Sequence, residues 1–89
     1  MKPRWKIIAR HKWVLGATIT ESYLDDPAVN LRRFTATIRG WRNWKMYEGV
    51  LYHGLADKVA ERVREIRDRI DAGDESVFNE NQVFPEEVK

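Results

Sequence analysis

The chain has 89 residues, no cysteine, and 16 Lys/Arg against 14 Asp/Glu, a formal charge of +2. That length holds one domain around one hydrophobic core, and the missing cysteine excludes the disulfides and thiolate metal sites that small secreted domains usually need. No apolar run approaches a membrane span and no signal core follows Met1-Lys2-Pro3-Arg4-Trp5, so a cytoplasmic, non-membrane protein is expected.

Leu, Ile, Val and Phe supply 22 residues, enough for a folded core. A domain this small buries a limited fraction of its surface, and homodimerisation is a common remedy. The charge is divided unevenly. Residues 1–46 carry ten Lys/Arg against Glu21, Asp25 and Asp26, a balance of +7, while residues 47–89 carry a balance of −5. Such separation suits a polyanion or an acidic partner; the plainer reading is that the two halves neutralise each other within the fold or across a dimer.

From Arg4 to Tyr23 the chain alternates. Trp5, Ile7, Ala9, Trp13, Leu15, Ala17 and Ile19 share one parity, and Lys6, Arg10, Lys12, Thr18 and Thr20 the other. Period two predicts strand, although Ile8 and Val14 fall on the wrong parity. With no Asn-Gly or Asp-Gly turn between, one long strand, bulged or bent near His11 or Gly16, is preferred to two short ones.

Asp25-Asp26-Pro27 opens a loop. A second strand is predicted over 31–39, with Phe34, Ala36 and Ile38 inward and Arg33, Thr35, Thr37 and Arg39 outward. Gly40 and Asn43 mark a turn, and a third strand is predicted over 46–53 with Tyr47 and Gly49 opposed to Glu48 and Val50. The period then changes. Leu55, Val59, Val63, Ile66 and Ile70 form one apolar stripe, predicting a helix over 56–72 that Gly73 ends. Helix and strands have similar lengths, about 25 Å, so the helix can lie along one sheet face.

The predicted fold is therefore α+β: a three-stranded antiparallel sheet with one C-terminal helix on one face. Residues 1–73 form this βββα domain, and residues 74–89 form an acidic, partly docked tail in which Phe78 is the expected anchor.

Little suggests catalysis. His11 and His53 lie on different predicted strands without partners at metal-ligand spacing. Ser22 and Ser76 show no nucleophile elbow, no glycine-rich phosphate loop is present, and the Asp25-Asp26 pair is explained by its turn. A non-enzyme without catalytic residues, metal or cofactor is expected. What stands out is the aromatic load of the basic half: Trp5, Trp13, Trp41 and Trp44. Trp and Arg are enriched at interface hot spots, and in nucleic-acid binders cations neutralise phosphate while planar side chains stack. The densest cluster is Arg39-Gly40-Trp41-Arg42-Asn43-Trp44-Lys45, predicted to be a hairpin tip, against which stands the plainer reading that one tryptophan folds back to cap the core. Arg33 and Arg39 would extend it across the open sheet face, joined by Lys6, Arg10 and Lys12.

The order strand–strand–strand–helix resembles the DNA-binding domains of plant ethylene-response factors and the arm-site domains of some tyrosine integrases, on Phe34-Thr35-Ala36-Thr37-Ile38-Arg39, the strand exit from Gly49 to Leu55, and the helix. The resemblance implies a sheet face laid on DNA. The chain departs from those families in glycine and tryptophan spacing, and its helix is not alanine-rich. Double-stranded-RNA-binding domains share the βββα core, but their first helix and the lysine cluster opening their last helix are missing.

The expected function is nucleic-acid binding, DNA ahead of RNA, through Arg33, Arg39, Trp41, Arg42, Trp44, Lys45, Lys6, Arg10 and Lys12. The alternative is a protein-binding inhibitor or adaptor, encoded by a phage or mobile element, that docks the same residues on an acidic host surface. Both rest on these cations sharing an outward surface; guanidinium groups occupied by helix or tail carboxylates would weaken them.

Overall fold

A computed structural model describes residues 4–41 and 43–80. Four strands, β1 (Trp5–His11), β2 (Ala17–Leu24), β3 (Leu31–Ile38) and β4 (Trp44–Val50), form one antiparallel sheet in the order β1-β2-β3-β4. The helix α1 (Leu55–Asp71) packs on one face of β2 and β3, and a 3₁₀ turn, Glu75–Asn79, follows it.

The sheet has four strands, not three, because the first alternating segment is a hairpin. Its turn is Val14-Leu15-Gly16-Ala17, closed by the Ala17 amide donating to the Val14 carbonyl at 3.1 Å. Gly16 takes a φ of +83°, which a side chain would resist, so Leu15-Gly16 makes the turn without an Asn-Gly pair. Both residues of the wrong parity now have causes. Val14 is buried at the turn, and Leu15, on the supposed core parity, is 81% exposed. Ile8 is the extra residue of a β-bulge, since Ile7 pairs with Ser22 and Ala9 with Glu21.

The β2–β3 loop is an Asx-type turn, with the Ala28 amide donating to Asp26 Oδ1 at 2.9 Å. At the β3–β4 turn Arg39 (φ +52°) and Gly40 (φ +78°) both have positive φ, and the Trp41 amide donates to the Ile38 carbonyl. That pattern marks a type I′ turn. A second bulge, at Met46, puts Met46 and Tyr47 in succession into the core.

The core is Ile19, Phe34, Ala36, Ile38, Trp44, Met46 and Tyr47 from the sheet against Leu55, Val59, Val63 and Ile66 from α1, with Val14, Ala17 and Val77 closing its margins. The helix ends in a Schellman arrangement: the Gly73 amide donates to Ile70 and the Asp74 amide to Arg69. Beyond it, Val77 is fully buried, and Phe78 packs on Trp41 and Trp44 at ring-centroid distances of 4.8 and 5.8 Å. Phe78 is thus docked, whereas Val83 and Phe84 lie outside the described residues.

Arg69 anchors this turn by donating to Asp74, Ser76 and Glu80. Hydrogen bonds from Ser76 and Arg69 hold the Asp74 carboxyl down at about 2, from an ordinary 3.8, and Arg69 lowers Glu80 as well. Carboxylates depressed in the folded state stabilise it above their unfolded values, and that contribution disappears as pH falls through the folded ones. The docked turn is therefore expected to loosen between about pH 4 and pH 2. Near-ultraviolet circular dichroism of the Trp41–Phe78–Trp44 cluster should change in that window while far-ultraviolet helicity persists; an unchanged aromatic signal down to pH 2 would contradict it.

Candidate nucleic-acid interface

The face of the sheet turned away from α1 is built by strand alternation. On β2 it receives Thr18, Thr20, Ser22 and Leu24, and on β3 Leu31, Arg33, Thr35 and Thr37, because their neighbours in sequence are drawn into or toward the core. The cross-strand register extends these rows to the outer strands. One row reads Arg10–Thr20–Thr35–Lys45, and its neighbour reads Ile7–Ser22–Arg33–Glu48. Thr18 and Thr37 pair beyond the first row, and Thr37 donates its hydroxyl to Asn43.

Three strand spacings separate Arg10 from Lys45, about 14 Å. Between them lie threonine hydroxyls that can donate or accept. The strands put one carboxylate on this face, Glu48, whose Oε1 lies 3.0 Å from Arg33 Nη2 and 3.7 Å from Lys45 Nζ. Pairs this exposed are worth about 0–1 kcal/mol, so an incoming anion can compete for both cations. Arg10 is exposed and forms no ion pair among the described residues. Arg33 also places its guanidinium 4.0 Å from the Trp5 ring centroid. Ser22, in the same row, is buried, so this part of the face is already covered by side chains.

The fold brings together Arg10, Arg33 and Lys45 and disperses the other expected contacts. Lys6 shares parity with Arg10, yet the Ile8 bulge lies between them and reverses the faces. Lys6 pairs with Tyr23 on the core side and reaches Asp25 at 2.9 Å, a contact that raises the Lys6 ammonium above its ordinary range. Lys12 is exposed beyond the end of β1. Arg39 is at the end of the sheet, over Gly16, with its guanidinium donating twice to Asp71 of α1 at 3.1 and 2.9 Å. This is the helix-carboxylate occupation that weakens a claim to ligand contact; Arg33 is paired as well, but with Glu48 of the sheet face itself. Trp44 is buried on the helix side, while Trp41 is half exposed and leans on Phe78. Arg42 lies outside the described residues.

Trp5, Ile7, Leu24, Leu31 and Val50 complete the face at its other end, and none was among the expected contacts except as part of the tryptophan load. The signal that could have found them is β2, where Thr18, Thr20 and Ser22 alternate with Ile19 and Glu21. His11 is held within the sheet: its Nε2 lies 3.0 Å from Glu21 Oε1, and its ring stacks on Trp13 at 3.9 Å. Among the described residues no His, Asp and Glu side chains cluster in a way that could hold a metal ion, and no helix is long and apolar enough to cross a membrane.

Compared with protein-family models, curated proteins and solved structures, the chain gives no significant match. The strand–strand–strand–helix order behind the resemblance to sheet-type DNA-binding domains runs here from β2 to α1, with β1 added at the edge.

Proposed function

We propose that this chain binds nucleic acid on the uncovered face of its sheet and does no chemistry on it. The carrying observation is the row Arg10–Thr20–Thr35–Lys45, two cations flanking hydroxyl donors on a face where the strands place one carboxylate, Glu48. Phosphate oxygens are recognised by this combination of cations and hydroxyls, and the cations supply most of the sequence-independent affinity. Arg33 is the third cation of the face. The reading takes DNA ahead of RNA, a cytoplasmic location and no cofactor.

Three cations set the expected salt dependence. Affinity should fall with a log–log slope of about −2 to −3, and Arg10→Gln should reduce that slope by about one while leaving the melting temperature unchanged. Fluorescence anisotropy with labelled oligonucleotides over a salt series measures both. Absence of binding to any strand or duplex at low salt and micromolar protein would refute the proposal.

A second reading, a protein-binding inhibitor or adaptor, is supported by a different observation. Ile7 and Ile8 on β1, and Val50 and Leu51 at the end of β4 on the opposite edge, are each 42–51% exposed, and exposed apolar side chains on a sheet edge offer a protein partner a surface to bury. In that case nuclease treatment of a lysate leaves a discrete partner bound, and Ile7→Ser releases it. Light scattering of the isolated chain separates this from self-association.

A further inference from the structure

We infer that the ligand of the open face is a single strand rather than a duplex, with bases laid on its apolar end and phosphates on its cationic row; the inference rests on the nucleic-acid reading above. Along the strands the face changes character. Thr18, Thr20, Thr35 and Thr37 with Arg10 and Lys45 occupy one end, and Trp5, Ile7, Leu24, Leu31 and Val50 occupy the other. From Thr20 to Leu24 the separation is about 13 Å, so one chain of alternating phosphates and bases can engage both ends at once.

The two kinds of nucleic acid offer different surfaces to such a face. A duplex hides the planes of its bases and shows phosphates, sugars and base edges, which the cationic end can use and the apolar end cannot. A single strand shows its base planes, and these stack on aromatic side chains and on guanidinium groups. Ile7 and Val50 remain 51% and 46% exposed on this face, surface that only an apolar ligand group would remove from water.

The planar groups are already ordered. Arg33 is held on one side by the Trp5 ring, 4.0 Å away, and on another by Glu48, to which its Nε donates at 3.0 Å. A platform fixed before binding loses little side-chain entropy when a base arrives. Charge sets the direction of the strand across the face: phosphates favour Arg10 and Lys45, which leaves the bases toward Trp5.

The test compares a short labelled DNA strand with the same strand annealed to its complement, by anisotropy at low salt with the full chain. The single strand is expected to bind at least about tenfold tighter, and Trp5→Ala to weaken it about tenfold, the effect of one lost base–aromatic stack. Trp5→Phe should retain the preference, and Lys45→Gln should weaken both ligands. Ile7→Ser, at a half-exposed position, should lower single-strand affinity without loss of fold and provides the result if Trp5→Ala fails to fold. Equal or tighter duplex binding would overturn the single-strand inference and leave the nucleic-acid reading standing. Binding of neither ligand would remove both. A single-strand preference untouched by Trp5→Ala and Ile7→Ser would show that the apolar end is not the base platform.

Discussion

Phe34→Ala should cost a large part of the chain's stability. Phe34 is 1% exposed at the centre of β3, on the face where α1 is seated, with Ala36 and Ile38 beside it. Truncating a buried phenylalanine costs about 3–5 kcal/mol, because the transfer free energy of the ring is lost and the surrounding side chains collapse only partly into the space. A chain of this size holds about 5–10 kcal/mol in total, so the loss takes about a third of it or more. Urea unfolding followed by circular dichroism should show a large drop in midpoint. Arg10→Gln on the opposite face should stay within about 0.5 kcal/mol of the parent, as surface substitutions away from caps and networks do. A Phe34→Ala cost below about 1 kcal/mol would mean that α1 does not close over β3. The contrast matters for function, because loss of binding identifies a contact only in variants whose midpoint is unchanged.

The second large effect is expected at Gly16. With φ at +83°, any side chain there is held in the left-handed region, and a Cβ would lie 2.5 Å from Arg39 Nη1 and 2.8 Å from Arg39 Cζ. The backbone leaves no easy retreat, since the Arg39 amide donates to the Gly16 carbonyl at 2.8 Å and Arg67 reaches the Leu15 carbonyl at 3.3 Å. Gly16→Ala should therefore cost about 2 kcal/mol, most of it from backbone conformation and the rest from pushing the Arg39 guanidinium off Asp71. In an Arg39→Ala background the steric part vanishes, so the two substitutions should be less damaging together than their separate costs imply. A thermal-melt double-mutant cycle measures this, and strict additivity would show that the Gly16–Arg39 contact carries no weight. Arg39 joins the β1–β2 turn, the β3–β4 turn and the end of α1. Its replacement should lower the melting temperature while leaving the salt slope of nucleic-acid binding unchanged.

The arginine that looked like the head of a binding tip thus functions as a clasp, and the proposed interface moves from the tip to the middle of the sheet. Arg33 and Lys45 stay on that interface. Arg10 joins them through its register with Thr20, whereas Lys6 is turned to the other side. Two cations four residues apart on one strand would share a face in regular alternation; one inserted residue at Ile8 separates them.

Period and punctuation by themselves determined the helix, the inward set Phe34, Ala36 and Ile38, and the stop at Gly73. These depend on local geometry: side-chain directions repeat along a helix or strand, and a glycine takes positive φ wherever the chain must turn. Tertiary structure alone decided the number of strands, the face on which Lys6 emerges, the burial of Trp44 and the capture of Arg39 by Asp71, thirty-two positions away in the chain. A bulge changes parity without changing composition, and an ion pair between distant residues leaves no trace in spacing. Pairing of remote segments must exist before either can be seen.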